Sequence, residues 1–426
     1  MKPDPSLLDR RRAVLGESYR LFYDSPIELV RGEGTWLFDT DGRRYLDVYN
    51  NVPIVGHGHP RVVKAVSRQM QALNTHSRYL HEGIVRYAET LLARMPPSID
   101  RMVYACSGTE AVELALRMAT AFTGAEGLIC TAHAYHGNSR TVARISPETA
   151  GSEPGDSVEM IRLPDPIDGA HVSGSDARAQ GAGQVRAAIE RLAARGTRPA
   201  ALIVDTIFSS EGIDLAPPGW LSGAVDAAAN EGALFIADEV QAGFGRLGEH
   251  FWGFERHQVL PDIVTLGKPM GNGYPVSAVV LRHEISQTFA RRASYFNTFG
   301  GSPVAAAAAQ SVLEVLDDEQ LPERAGRVGS LLRSGLRDLE SRWPCMAQVR
   351  GAGQFTGVEI QGPSGDRKAG ASLAGALLNE LARNGTLAGR TGPDNNVIKL
   401  RPPLAFDEAH VDMVLNRLED ALKRLA

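Results

Sequence analysis

From residue 101 onward the chain repeats one unit: a short apolar run, a segment with helical spacing, then another apolar run. "RMVYACS" precedes "EAVELALRMATAF", and "GLICTAHA" follows; "AALIVDTIF" leads into "GWLSGAVDAAANEG", then "ALFIADEV", then "DIVTLGK". Runs that are apolar throughout, rather than alternating, suit strands covered on both faces, and the helices between them supply the cover. The pattern predicts an α/β fold whose large domain has a mainly parallel sheet between helices. It also restricts where a ligand binds, because such sheets open at the carboxyl ends of their strands. Three groups fall at those ends: Ser107 to Thr109, Asp238 and Lys268.

The two ends of the chain read differently. Residues 24–49 form a short meander, with Asp41-Gly42 as its hairpin turn. From about residue 303 the chain becomes helical and finishes in an α+β segment. A small α+β domain made of residues 1–65 and 311–426 is expected beside a large domain of residues 66–310. Residues 146–183, rich in Gly, Ser and Asp, read as an exposed excursion. With 426 residues, 22% charged and a net charge of −5, the chain gives no electrostatic reason to expect nucleic acid. No apolar run approaches the ~18 residues of a membrane span, and "MKPDPSLLDRRRAVLG" lacks the apolar stretch of a secretory leader. Three scattered cysteines make neither a disulfide framework nor a zinc site. A reduced, cytoplasmic protein is expected, with Cys106 a small buried residue rather than a reactive thiol. His57 and His59 lack a third ligand at metal spacing and read as loop residues.

Ser107, Gly108 and Thr109 stand directly before a helix, whose N-terminus favours an anion; the same pattern also serves as an ordinary N-cap. Asp238 ends an apolar strand, and a buried carboxylate needs a partner. An ion pair with Lys268 would be the simplest. "AHAYHG" ends another strand and offers the ring of Tyr135 and the donor of His136. Lysine is among the residues least often buried, so Lys268 at a strand end calls for a chemical reason. Together these are the parts of a pyridoxal phosphate site. A helix N-terminus takes the phosphate, an aromatic ring covers the pyridine, a carboxylate meets its nitrogen, and a lysine closes a Schiff base with the aldehyde. Gly271 and Gly273 would let the backbone approach closely.

With "DEVQAGFGR" followed by "LGKPMGNGYP", nearly the whole chain resembles the class III aminotransferases of fold type I. The resemblance implies pyridoxal 5'-phosphate as cofactor. It puts Asp238 on the ring nitrogen, Lys268 on the aldehyde and Gln241 near the phenolic oxygen. Ser107, Gly108 and Thr109 fall on the phosphate, and Tyr135 lies over the ring with His136 beside it. "NTFGGSP" resembles the segment whose threonine, here Thr298, reaches the phosphate of a neighbouring subunit, which implies a homodimer with shared sites.

The reaction is narrowed by departures from that family. Asp205-Thr206 stands where a Glu-Pro pair is usual; Ser210 replaces a second glutamate, with Glu211 one place on; Lys399 occupies the place of a carboxylate-binding arginine. "NVPIVGHGHP", "LNTHSRYLHE", "HFWGFE", "YFNTFGGSPV" and "IKLRPPL" resemble the ammonia-releasing phospho-lyases, which act on phosphoethanolamine or phosphohydroxylysine. The charges agree independently. Lys399 and Arg401, two apart in a strand, project to one face, and Arg78 adds a third cation. A phosphomonoester carries about −1.5 to −2 charges and suits arginine's bidentate grip. Tyr19 and Asn51 are further candidates for that pocket. The expectation is a phospho-lyase that eliminates phosphate and ammonia from phosphoethanolamine or a related phosphorylated amine. An ω-aminotransferase using a keto acid and a non-enzymatic cofactor-binding protein are the other readings.

Overall fold

The computed structural model describes residues 6–149, 153–164, 174–213 and 216–425. The N-terminal meander is antiparallel: β1 (Leu29–Glu33), β2 (Trp36–Asp39) and β3 (Arg44–Asp47). Gly42, at φ +79°, takes the left-handed position in the turn between β2 and β3.

Seven strands make the central sheet: β4 (Arg101–Ala105), β5 (Gly127–Thr131), β6 (Val158–Ile161), β7 (Pro199–Asp205), β8 (Leu234–Asp238), β9 (Ile263–Leu266) and β10 (Ser277–Leu281). Their order is β4-β10-β9-β8-β7-β5-β6. From β9 to β6 every pairing is parallel. β10 runs antiparallel to both β4 and β9 and fills the gap between them. Because β10 reverses direction, β4 points the same way as β9. The carboxyl ends of β4, β5, β7, β8 and β9 therefore share one edge. Alternate residues pack on opposite faces: Ile129, Leu202, Phe235 and Val264 in one core, Cys130, Ile203, Ile236 and Ile263 in the other. Each such side chain contributes about 1.5–3 kcal/mol when fully buried.

Local signals set the helix that matters most here. Ser107 caps Gly108–Thr123 by accepting from the N–H of Glu110, and Gly124, at φ +63°, ends it. The stretch expected as a loose excursion is largely ordered. It contains β6 and the start of the helix Gly174–Ala194; residues 150–152 and 165–173 lie outside the described residues. One of its glycines serves close packing. A Cβ on Gly181 would fall 2.1 Å from the carbonyl oxygen of Trp220, at the start of the neighbouring helix Trp220–Asn230.

The C-terminal part adds β11 (Met346–Ala352), β12 (Phe355–Ile360), β13 (Thr386–Leu387), β14 (Gly389–Thr391) and β15 (Val397–Leu400). β11, β12, β15 and β14 form an antiparallel sheet in that order. β13 instead joins β3 in parallel and so ties the two ends of the chain together. Leu46 and Val48 share a core with Leu336, Val358, Ile398, Phe406 and Leu418. Among the described residues no helix is long and apolar enough to cross a membrane.

Candidate active site

Asp238 ends β8, opposite Asp205 on β7 and Thr265 on β9. It is buried, but its partner is not Lys268. Its Oδ2 lies 2.6 Å from Nδ1 of His136, while Oδ1 accepts from the N–H of Val240 (3.1 Å) and the hydroxyl of Thr265 (3.2 Å). The ion pair considered from the sequence is not formed, because three closer groups satisfy the carboxylate. His136 is itself buried, and its N–H donates to Oγ of Ser146 at 3.0 Å. Burial alone would lower its proton affinity, but the hydrogen bond and charge of Asp238, with Asp205 and Glu211 beyond, raise it above the usual histidine range. Neither His136 nor Asp238 lines the cavity described next.

Lys268 directly follows Gly267, where a Cβ would come within 3.3 Å of the backbone of Gly108. This close approach brings the N-terminus of Gly108–Thr123 against the lysine's backbone. The hydroxyl of Ser107 is used on Glu110 and that of Thr109 on Asn138. The N–H groups of Gly108 and Thr109 have no partner within a helix. Lys268 has no ion-pair partner among the described residues. Burial and the charge of Arg401 lower its proton affinity, against Asp238, Asp205 and Glu148.

Lys268 lies on the wall of a cavity of about 580 Å³, with Tyr49, Tyr135, Gln241, Lys399 and Arg401. Gln241 is its central hydrogen-bonding group. Its Nε2 donates to Oγ of Ser209 at 2.9 Å; its Oε1 accepts from Asn51 at 3.1 Å and from Nη1 of Arg401. Lys399 and Arg401 reach the cavity from β15 and its end, as their alternation predicts. Lys399 Nζ donates to the carbonyl of Ser209 at 3.0 Å. Burial, then the charge of Arg401, push its proton affinity well down. The Arg401 guanidinium lies 4.5 Å from the Tyr49 ring centroid, and its Nε is buried without a partner. Neither cation is paired with a carboxylate among the described residues.

Of the sequence candidates, Tyr135, Gln241, Lys268, Lys399 and Arg401 line this cavity and Asn51 touches it through Gln241; Ser107 to Thr109, Asp238 and His136 do not line it, and Tyr19, Arg78 and Thr298 are exposed within one chain. Tyr19 is exposed, and its carbonyl accepts from Arg11. The exposed Arg78 lies over the ring of Phe296 at 3.8 Å, and Thr298 is exposed in the loop that follows. Arg20, Glu148 and Arg390 do line the cavity and went unread in the sequence. So did the role of Asp205, which accepts from the N–H groups of Ile207 (3.1 Å) and Ser209 (3.0 Å) and shapes the turn that carries Ser209. Its signal was present: "ALIVD" ends on an aspartate just as "LFIAD" does. Glu211 is buried against Thr131, its carboxyl pushed up to about 7 by burial and by Asp205. Outside the site, Cys106 is part-buried, with burial and Glu110 raising its thiol to about 11, which opposes reactivity. His57 and His59 pair with Asp47 and Glu319.

An unpaired amine in a cavity, a buried carboxylate held by an imidazole and an open helix N-terminus beside the lysine fit pyridoxal phosphate. Known proteins agree. The class-III aminotransferase family model matches residues 22–422. An alanine–glyoxylate aminotransferase 2-like protein of Drosophila melanogaster is 38% identical over 97% of this chain and 86% of its own. Ethanolamine-phosphate phospho-lyase homolog 1 of Caenorhabditis elegans is 35% identical over 98% of this chain and 93% of its own. Among solved structures, a phospholyase from Arthrobacter in complex with phosphoethanolamine superposes with a TM-score of 0.95, at 40% identity, covering 98% of this chain and 99% of that one. The chain belongs to the class III aminotransferase family, and its cofactor is pyridoxal 5'-phosphate.

Proposed function

We propose that this protein is a phospho-lyase that converts O-phosphoethanolamine and water to acetaldehyde, ammonia and phosphate, or acts likewise on a related phosphorylated amine. The observation that carries this reading is the pair of buried cations, Lys399 and Arg401, on the same cavity wall as Lys268 and without carboxylate partners among the described residues. A phosphate group supplies the charge they lack. The likeness to the phosphoethanolamine-bound Arthrobacter phospholyase supports the same substrate class.

Bound here, the cofactor supplies an electron sink that makes the carbon next to the substrate nitrogen acidic. Lys268 would hold its aldehyde and, once released, take the proton from that carbon on Nζ. Asp238, held in place by His136, Thr265 and Val240, would meet the ring nitrogen. Ser107, Gly108 and Thr109 would hold the cofactor's phosphate, and Tyr135 would cover its ring. Lys399 and Arg401 grip the substrate phosphate and stabilise charge on it as it leaves, with Asn51 and Gln241 fixing the arginine's direction. Donors aimed at developing charge typically contribute ~3–4 kcal/mol each.

The reading includes a cytoplasmic homodimer. Tyr79, Leu80, Phe296 and Phe299 are exposed apolar side chains around Arg78 and Thr298. Burying them against a second copy would carry Arg78 and Thr298 to the neighbouring site, with Tyr19 closing the pocket's mouth. It also includes a small domain of residues 1–65 and 311–426 beside a large one of residues 66–310, since both termini share one core. The name of the Drosophila relative favours a second reading, amino transfer to a keto acid. Dependence on keto acid separates the two. With phosphoethanolamine alone, acetaldehyde should form through many turnovers; a requirement for pyruvate or 2-oxoglutarate would support amino transfer instead.

A further inference from the structure

We propose that Lys399, beyond binding the substrate phosphate, is the acid that protonates it as it departs; this rests on the phospho-lyase reading. A phosphomonoester dianion that leaves without a proton becomes a trianion, a poor leaving group. In the step assigned here the carbon–oxygen bond breaks and its electron pair stays on the oxygen. That oxygen takes a proton from Lys399 Nζ. The products are hydrogen phosphate and a neutral lysine, which regains its proton from water.

Geometry and chemistry single out Lys399 among the cavity's cations. Its Nζ carries three donors and spends one on the carbonyl of Ser209 at 3.0 Å. The other two have no acceptor among the described residues, and the side chain lies on the wall that also holds Lys268 and Arg401. Arg401 cannot share the task, because a guanidinium does not give up its proton in proteins. A lysine at this position can therefore do what an arginine there could not.

The surroundings suit a proton that comes and goes. Burial and then Arg401, on the same wall, oppose the charged form of Lys399, as does Lys268 past the end of β9. Glu148 and Asp205 favour it without pairing with it. Arg20 and Arg390, on the rest of the wall, add further positive charge. An entering phosphate dianion supplies the missing counter-charge, so binding should draw a proton onto Nζ.

Titration calorimetry of inorganic phosphate with the holoenzyme tests this in buffers of different ionisation enthalpy, at about pH 8.5, where phosphate is already a dianion. Wild type should take up a proton on binding; K399R should bind phosphate without that uptake. With phosphoethanolamine, K399R should lose about a hundredfold or more in kcat, with KM changed far less, and K399M should lose phosphate binding as well. Equal proton uptake by wild type and K399R, wild-type binding without uptake, or wild-type kcat in K399R would each overturn the assignment. Phosphate release by K399R at the normal rate would sink Lys399 as the acid while leaving the phospho-lyase reading intact. Wild type that neither binds phosphate nor turns over any phosphorylated amine would sink both.

Discussion

Asp238 on the central sheet and Arg401 at the end of β15 are almost equally buried, at 4% and 6% exposed. Their hydrogen bonding differs. Asp238 has three protein partners, one of them an imidazole that can carry the opposite charge. Arg401 has a neutral amide, an aromatic ring and an Nε with nothing to meet. Unpaired buried charge is expensive, so a satisfied group and an unsatisfied one serve different ends. On the central sheet the carboxylate is satisfied by the protein itself. At β15 the cations are left short of negative charge among the described residues, which suits a ligand that brings it.

The contrast breaks most completely at Lys268. Lys268→Ala should cost at least ~10²–10⁴ in turnover, the span of general-base contributions, and should remove the colour of the bound cofactor; a variant that keeps both refutes the site. Asp238→Ala leaves His136 buried without its counter-charge, a loss of about 3–5 kcal/mol. It should appear as a lower denaturant midpoint together with lost cofactor. If only the midpoint falls, Asp238 is structural and the cofactor assignment is wrong. On the other wall the loss should be selective. Arg401→Ala should raise KM for phosphoethanolamine by about a hundredfold, as expected for charged hydrogen bonds of ~1.5–3 kcal/mol, while unphosphorylated amines are almost unaffected. Equal losses would show that the two walls do not divide the work.

The smallest effect is on pH. Glu239, next to Asp238, is fully buried, and burial raises its carboxyl from 4.5 to about 7 against the donors Thr206, Gly253 and Phe254. Between those values the folded protein holds a proton that the unfolded chain has released, so this group makes stability fall as pH rises through the window. Glu239→Gln should flatten urea midpoints measured across it. An undiminished slope would trace the dependence to another carboxyl.

Much of the central wall was legible in advance, because an apolar run that ends on a charged residue marks the open edge of a parallel sheet. Asp238 and Lys268 were placed at that edge in this way, the cap at Ser107 by the helical spacing that follows it, and two-residue alternation placed Lys399 and Arg401 on one face. What stayed hidden depends on contacts between distant segments. Nothing in "SAVVL" announces that β10 inserts antiparallel between β4 and β9. The glycines of "DARAQGAG" have a loop-like composition, yet they lie on a helix, and Gly181 is there because the backbone of Trp220 presses on it. His136 as the support of Asp238, and Gln241 as the junction of Asn51, Ser209 and Arg401, join residues 102 and up to 190 positions apart, beyond the reach of any local pattern.

The most direct test of the central claim is the ratio of phosphate to ammonia released from phosphoethanolamine by the purified holoenzyme with no keto acid present. The two walls working together predict equal amounts of both, growing linearly well past one turnover per site. Ammonia without phosphate, or release of neither until a keto acid is added, would contradict the account.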